Sequence, residues 1–310
     1  MATTTIPRSR RDAIAKRWQR GRSGYMFLIP WLIGFFALTL GPALASLYLA
    51  FTKYDVLTPP VFTGLDNFGY MFFQDYRFRQ ALQVTFTYVL WSVPLKLGLA
   101  LLIAIALDKG TRGVDLYRAI FYLPSLIGGS VAIAVLWRQL FDRDGLTDQL
   151  LQLLGWPPGT SLLNNPDHAL KTLIVLSVWQ FGAPMVIFLA GLRQIPQHLH
   201  EAARMDGAKT MQRFSRITLP LLAPVIFFNL IMQTIDAFKA FTQAFVVSAG
   251  TGGPIDSTLF YTLYLYQEGF AFFRMGYASA LAWFLLIIIA AFTALTFLSA
   301  KYWVHYDDGR

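Results

Sequence analysis

The sequence predicts an all-α integral membrane protein with six transmembrane helices. Three observations predict it. Of the 310 residues, 55% are hydrophobic and only 14% are charged, against about 25% charged in soluble domains. With a mean hydropathy of +0.48, much of the surface must face something other than water. Six apolar windows are each long enough for the roughly 20 helical residues that cross about 30 Å of hydrocarbon. The Lys and Arg residues gather at the ends of those windows, where topogenic charges sit.

The first window, near 25–52, is uncharged and follows a basic segment, 1–24. It is too long for a signal peptide and lacks a small-residue cleavage site, so it reads as a retained helix. The second, 81–107, holds a single charge, Lys96. The third, 119–140, is uncharged as far as Trp137, and the fourth, 172–192, is uncharged throughout. The fifth, 217–240, is clear until Asp236 and Lys239, and the sixth, 275–300, is uncharged and leads into a short tail, 301–310. Windows 25–300 make one transmembrane domain. Lipid offers the backbone no hydrogen-bond partner, so each window is expected to be helical. Pro94, Pro124, Pro184, Pro220 and Pro224 fall within or at the start of helices. They suit helices that bend around a path, or simply reflect the frequency of proline in membrane helices.

Orientation follows from charge. With the N-terminus inside, the inner segments 1–24, 108–118, 193–216 and 301–310 hold seventeen of the 26 Lys and Arg residues, and the outer segments hold eight. The positive-inside rule puts both termini in the cytoplasm.

Several function classes are disfavoured. The net charge of +9 is spread over membrane boundaries and does not form one nucleic-acid-binding face. The chain has no cysteine, which removes disulfides and thiolate metal sites. His198 and His200 are two apart and diverge on a helix, so no metal is expected. Asp142-Arg143-Asp144-Gly145 lacks the later glutamate of a calcium loop. Asp206-Gly207-Ala208-Lys209-Thr210 lacks the glycine before the lysine that a phosphate loop needs. Gly250 to Pro254 reads as a rigid turn. The chain is therefore expected to hold no cofactor and to have no ATPase activity of its own.

The inner loop, 193–219, is the informative segment. Good helix formers run up to Asp206, and Gly207 is placed to end that helix in a left-handed conformation. A second short helix holds Met211 and Phe214. Leu199, Ala202, Ala203, Met211 and Phe214 have no lipid to face, so the pair looks built either to dock into a groove or to lie on the membrane interface.

Glu201-Ala202-Ala203, Gly207, Ile217, Leu219 and Pro220 hold the spacing E-A-A-x(3)-G-x(9)-I-x-L-P. This resembles the EAA loop of permease subunits of binding-protein-dependent ABC importers. Gly64-Leu65-Asp66-Asn67-Phe68, Phe121-Tyr122-Leu123-Pro124, Gly252-Gly253-Pro254 and Gly276-Tyr277-Ala278-Ser279-Ala280 look like the maltose-type sugar permeases of that family. One departure is Met211, where the family often carries Trp. The resemblance implies the type I importer transmembrane fold in a bacterial cytoplasmic (inner) membrane. It implies a second homologous permease, two ATPase subunits holding ATP and Mg, and an external or periplasmic solute-binding protein. Carried over, Glu201 is the ionic contact to the ATPase, Gly207 the turn, and Ala202 and Ala203 the close approach, with Asp206, Met211 and Phe214 around them. The tail after Lys301 is short, so the partner permease is expected to carry any tail that enters between the ATPases.

Polar residues inside membrane helices usually face the bundle interior. Asn229, Gln233, Asp236 and Gln243 share one face of the fifth window, with Lys239 three residues after Asp236. In the fourth window Ser177 and Gln180 are three apart, and in the second Thr85, Tyr88, Trp91 and Ser92 make a similar stripe. From these stripes Gln180, Tyr88, Trp91 and Ser92 join the five above, with Trp179 beside Gln180. These ten are the candidate solute path, and Tyr88, Trp91 and Trp179 suit a sugar. The competing reading is interhelical hydrogen bonding with no solute, worth about 0.6 kcal/mol per contact. An ion-coupled secondary transporter is the alternative, but it needs membrane carboxylates and only Asp236 qualifies. A membrane enzyme is the third reading, and no catalytic group set converges.

Overall fold

The computed structural model describes residues 27–108, 113–143, 145–155, 157 and 161–304. The basic segment 1–24, Asp144 and the tail beyond 304 lie outside the described residues. Helix α1 (Phe27–Ala50) is apolar throughout and contains a π turn at Phe35–Leu40. Beyond it, β1 (Thr52–Lys53) pairs antiparallel with β2 (Val61–Phe62), a small departure from an all-α chain. A short α2 (Asp66–Phe73) leads into α3 (Tyr76–Asp108), which runs unbroken for 33 residues.

The next two windows differ from expectation, because neither is one continuous helix. The third is α4 (Val114–Ile127) and α5 (Val131–Phe141), broken at Gly128-Gly129-Ser130. Ser130 caps α5, its Oγ accepting from Ile133 N at 3.3 Å. After α6 (Leu146–Leu153), the fourth window is α7 (Pro166–Trp179) and α8 (Gly182–Gln194), bent by 41°. A Cβ on Gly182 would lie 2.3 Å from the Phe121 carbonyl oxygen, so glycine is what lets α4 and α8 touch at that bend. Among the described residues, four helices are long and apolar enough to cross a membrane, and up to six spans result when each bent pair counts as one.

Helices α9 (Gln197–Met205) and α10 (Thr210–Arg213) form the predicted loop pair. A π turn (Phe214–Thr218) joins α10 to α11 (Leu219–Phe238), so the fifth span begins earlier than its apolar window. It also stops sooner. Residue Gln243 falls on a separate helix, α12 (Thr242–Val247). A short 3-10 turn (Pro254–Asp256), α13 (Tyr261–Tyr266) and a π turn (Gln267–Ala271) precede α14 (Met275–Trp303).

Helix α3 is the hub. It packs against α7, α8 and α11, while α14 packs chiefly on α1. Ala81, Ala100 and Ala104 on α3 are fully buried. Small side chains let membrane helices approach closely, where van der Waals contact has to replace a hydrophobic drive.

Two of the sequence motifs meet at the end of α1. Asn67 Nδ2 donates to the carbonyls of Ala50 and Thr52, each at 2.9 Å. From the other end of the chain, Gly276 N donates to Tyr54 O at 3.0 Å. A Cβ on Gly276 would lie 2.2 Å from Thr52 O, so only glycine fits this approach.

Candidate functional site

The two broken spans cross beside α3 and leave a cavity of about 290 Å³. Helix α3 contributes Tyr88 and Lys96 to its wall, and α7 contributes Ser177 with Gln180 at its C-terminal cap. Helix α11 adds Gln233 and Asp236, α4 adds Ser125, and α12 adds Gln243. Breaking a helix in lipid frees backbone groups that must find partners. Here Ser125 supplies them: its Oγ donates to Gln180 O and accepts from Ala183 N, both at 2.9 Å. Gln243 Nε2 donates to Gly128 O at 3.3 Å, across the other break. The cavity wall thus mixes hydroxyls and amides with apolar side chains such as Val93, Leu173 and Leu176, and its polar groups can hydrogen-bond a polyhydroxylated solute.

Of the ten candidate path residues, Tyr88, Gln180, Gln233, Asp236 and Gln243 line this cavity. The other five do not. Trp91 is 57% exposed on the outside of α3. Ser92 is fully buried away from the cavity wall. Trp179 stacks on Trp137, with ring centroids 6.4 Å apart. Asn229 Nδ2 turns back to Val225 O on its own helix at 3.1 Å. Lys239 is exposed and sits 3.9 Å from Asp236. The predicted single face of the fifth span fails for a physical reason. The helix ends at Phe238, and Gln243 returns to the cavity on a new axis. Lys96 and Ser125 were outside the predicted set. Lys96 was visible as the lone charge of its window, whereas Ser125 has no local signal because its role depends on the bend of a different span.

At one end of the bundle lies the α9–α10 loop. Gly207 has φ +76°. The Ala208 N–H donates to Ala203 O at 2.9 Å and the Gly207 N–H to Arg204 O at 3.0 Å, the paired closing bonds of a left-handed helix stop. Gln212 Oε1 then accepts from Lys209 N at 2.7 Å and caps α10. No residue of α9 is buried. Ala202 and Asp206 are exposed and Ala203 and Phe214 half-buried, while Met205 and Met211 are 89% and 72% exposed. Glu201 is exposed and has no hydrogen bond or ion pair among the described residues.

At the other end, several buried polar groups are paired, while Ser257 Oγ and Gln267 Oε1 have no hydrogen-bond partner among the described residues. Asp75 is 4% exposed and accepts from the hydroxyls of both Tyr264 and Tyr277 and from Phe78 N at 3.0 Å. Arg77 grips Asp256 with two hydrogen bonds, 2.9 and 2.8 Å. Glu268, 1% exposed, pairs with Arg274, whose guanidinium also lies over the rings of Tyr70 and Tyr277. Burial pushes the Glu268 carboxyl above its ordinary range, and the Arg274 charge opposes that shift. The Tyr264 hydroxyl is pushed up by burial and by its bond to Asp75.

Residues 77–304 match the family of binding-protein-dependent transport system inner membrane components. The chain belongs to this family. The permease is 54% identical to a probable ABC transporter permease protein of Bacillus subtilis, YesP, over 92% of this chain and 93% of that one. It is 31% identical to the lactose transport system permease protein LacF of Rhizobium radiobacter, over 90% and 94%. Among solved structures it resembles a bacterial alginate ABC transporter in complex with an alginate-pentasaccharide-bound periplasmic protein, with TM-score 0.78 at 22% identity, over 92% and 96%. The fold of the permease is that of a type I ABC importer transmembrane domain, a multi-pass inner-membrane component of a transport system.

Proposed function

We propose that this permease and a second, homologous one form the path by which a sugar or oligosaccharide enters the cell. An external binding protein delivers the solute. Two ATPase subunits, holding ATP and Mg, supply the energy, and both termini of the permease face them from the cytoplasm.

The exposed α9–α10 loop is the observation that carries this reading. A helix with no buried face, two exposed methionines and an unpaired Glu201 is incomplete in the single chain. It suits insertion into a groove of another protein, with Glu201 meeting a basic residue there. The polar cavity between the broken spans supports passage of a hydroxyl-rich solute. Relatives include a lactose permease and an arabinooligosaccharide permease, which supports the saccharide class. An ion-coupled mechanism is not favoured, since the carboxylate at the cavity, Asp236, is already near Lys239.

Coupling is tested with Glu201→Ala in the reconstituted four-subunit complex. Solute-stimulated ATP hydrolysis is expected to fall at least about ten-fold, as loss of a charge-assisted contact worth about 1.5–3 kcal/mol implies. Undiminished stimulation would remove the coupling role.

A further inference from the structure

A further cavity, of about 880 Å³, lies at the α9–α10 end, apart from the polar cavity. Leu102, Ile105 and Asp108 of α3 line it. They stand six, nine and twelve residues beyond Lys96, which at about 3.6 residues per turn centres them on the opposite face of α3. On α8, Leu192 lines this cavity and Ala183 the polar one, and about two and a half turns separate them. The volume falls within the roughly 300–1,000 Å³ of pockets for organic molecules and far exceeds what an ion needs.

The wall is graded in polarity. Helix α3 runs for 33 residues, about 50 Å, so its ends reach beyond about 30 Å of hydrocarbon into the headgroup layer. Toward that end the wall passes from Leu102 through Ile105 to the Asp108 carboxylate, and beside it from Leu192 through Ile195 to Gln197. Phe214 adds to the apolar part. Two cations, Arg204 and Arg213, and two carboxylates, Asp108 and Glu201, share the polar part. Among the described residues none of the four is in an ion pair. Arg213 Nη2 donates to Thr210 Oγ1 at 3.3 Å, but its Nε is buried without a hydrogen-bond partner. A buried donor left unpaired is costly, so an acceptor is missing there.

We propose that this cavity seats one phospholipid with a zwitterionic headgroup, of the phosphatidylethanolamine kind. Its acyl chains lie along Leu102, Ile105, Leu192 and Phe214, its phosphate accepts from Arg213 and Arg204, and its ammonium donates to Asp108. Equal numbers of cations and carboxylates match that headgroup. An anionic headgroup would leave the Asp108 and Glu201 charges facing it, and a choline headgroup has no N–H for a charge-assisted hydrogen bond. The lipid fills the space between α9 and the ends of α3 and α8, and so holds the loop at the membrane boundary.

The test uses the full-length permease in its transport complex, in nanodiscs holding phosphatidylethanolamine, phosphatidylcholine and phosphatidylglycerol in equal parts. Lipids retained after detergent extraction are counted by native mass spectrometry. Wild type is expected to keep phosphatidylethanolamine about ten-fold over the other two, the worth of one charge-assisted hydrogen bond. Arg213→Gln should lower retention of all three by about ten-fold or more. Asp108→Asn should erase the headgroup preference while lipid is still retained, and thermal midpoints check that both variants fold. Retention in the ratio supplied, as annular lipid alone gives, overturns the inference. So does a preference for phosphatidylglycerol, unchanged retention in Arg213→Gln, or a preference that survives Asp108→Asn. Leu102→p-benzoylphenylalanine gives a second readout, in which photolysis should attach lipid. Capture of an ATPase subunit or of the second permease at that position overturns the lipid assignment. None of these outcomes involves the solute, so saccharide import stands or falls separately.

Discussion

The two ends of the bundle solve opposite problems. At the Asp75–Glu268 end, the buried charged groups find partners within the chain: two tyrosine hydroxyls on one aspartate, a two-bond Arg77–Asp256 pair, and Arg274 on Glu268. At the α9–α10 end, side chains are left exposed and Glu201 unpaired. Burying polar groups is costly unless they are satisfied, so the first end holds a fixed arrangement on its own. The second end is shaped locally by the helix stop at Gly207 and the Gln212 cap. One end is closed on itself by folding, and the other leaves its side chains open in the single chain.

Substitutions should separate the two. The largest effect is expected at the closed end. Asp75→Ala orphans the Tyr264 and Tyr277 hydroxyls, and at about 1–3 kcal/mol for each unsatisfied buried group it should cost about 3 kcal/mol. Thermal unfolding in detergent would report it as a clear drop in midpoint, and an unchanged midpoint would mean that the cluster is not a stabilising one. A smaller effect is expected from Gly207→Ala. An L-residue held at φ +76° loses about 1–2 kcal/mol, and the loss should stay within the loop. Hydrogen exchange should rise across α9 and leave α3 unchanged; equal exchange in the variant would count against the strained stop. The smallest effect on stability is expected from Met205→Ser with Met211→Ser. Both side chains are exposed, so the cost should stay within about 0.5 kcal/mol, while retention of the ATPase subunits on co-purification falls. If stability falls and retention does not, the comparison between the two ends fails.

Much of the fold was legible from residue patterns. The windows that became α1, α3 and α14 are long, nearly free of charge and unbroken, and lipid leaves such a chain one conformation. The loop was legible too, because a left-handed glycine after a run of helix formers is a local signal. The breaks in the third and fourth spans were not. They come from α4 meeting α8 at Gly182 and from Ser125 satisfying the backbone across the bend, contacts between segments more than fifty residues apart. The cavity inherits that difficulty. Periodicity put Asn229 beside Gln233, yet Asn229 bonds to its own helix. Gln243 reached the cavity by way of a helix end that periodicity does not register. Lys96 was plain in the sequence as the lone charge of its window, but that it shares a cavity with Asp236 depends on how α3 and α11 pack.

The approach of Gly276 to Thr52 has a mechanical consequence. Residues at the exit of α1 and the entry of α14 are joined by backbone contact, with the Asn67 amide clamped to the same turn. Side-chain contacts can slide by changing rotamer, but a backbone seat this tight cannot. Any movement of α1 at this end must therefore carry α14 with it, as one lever seated away from the α9–α10 loop.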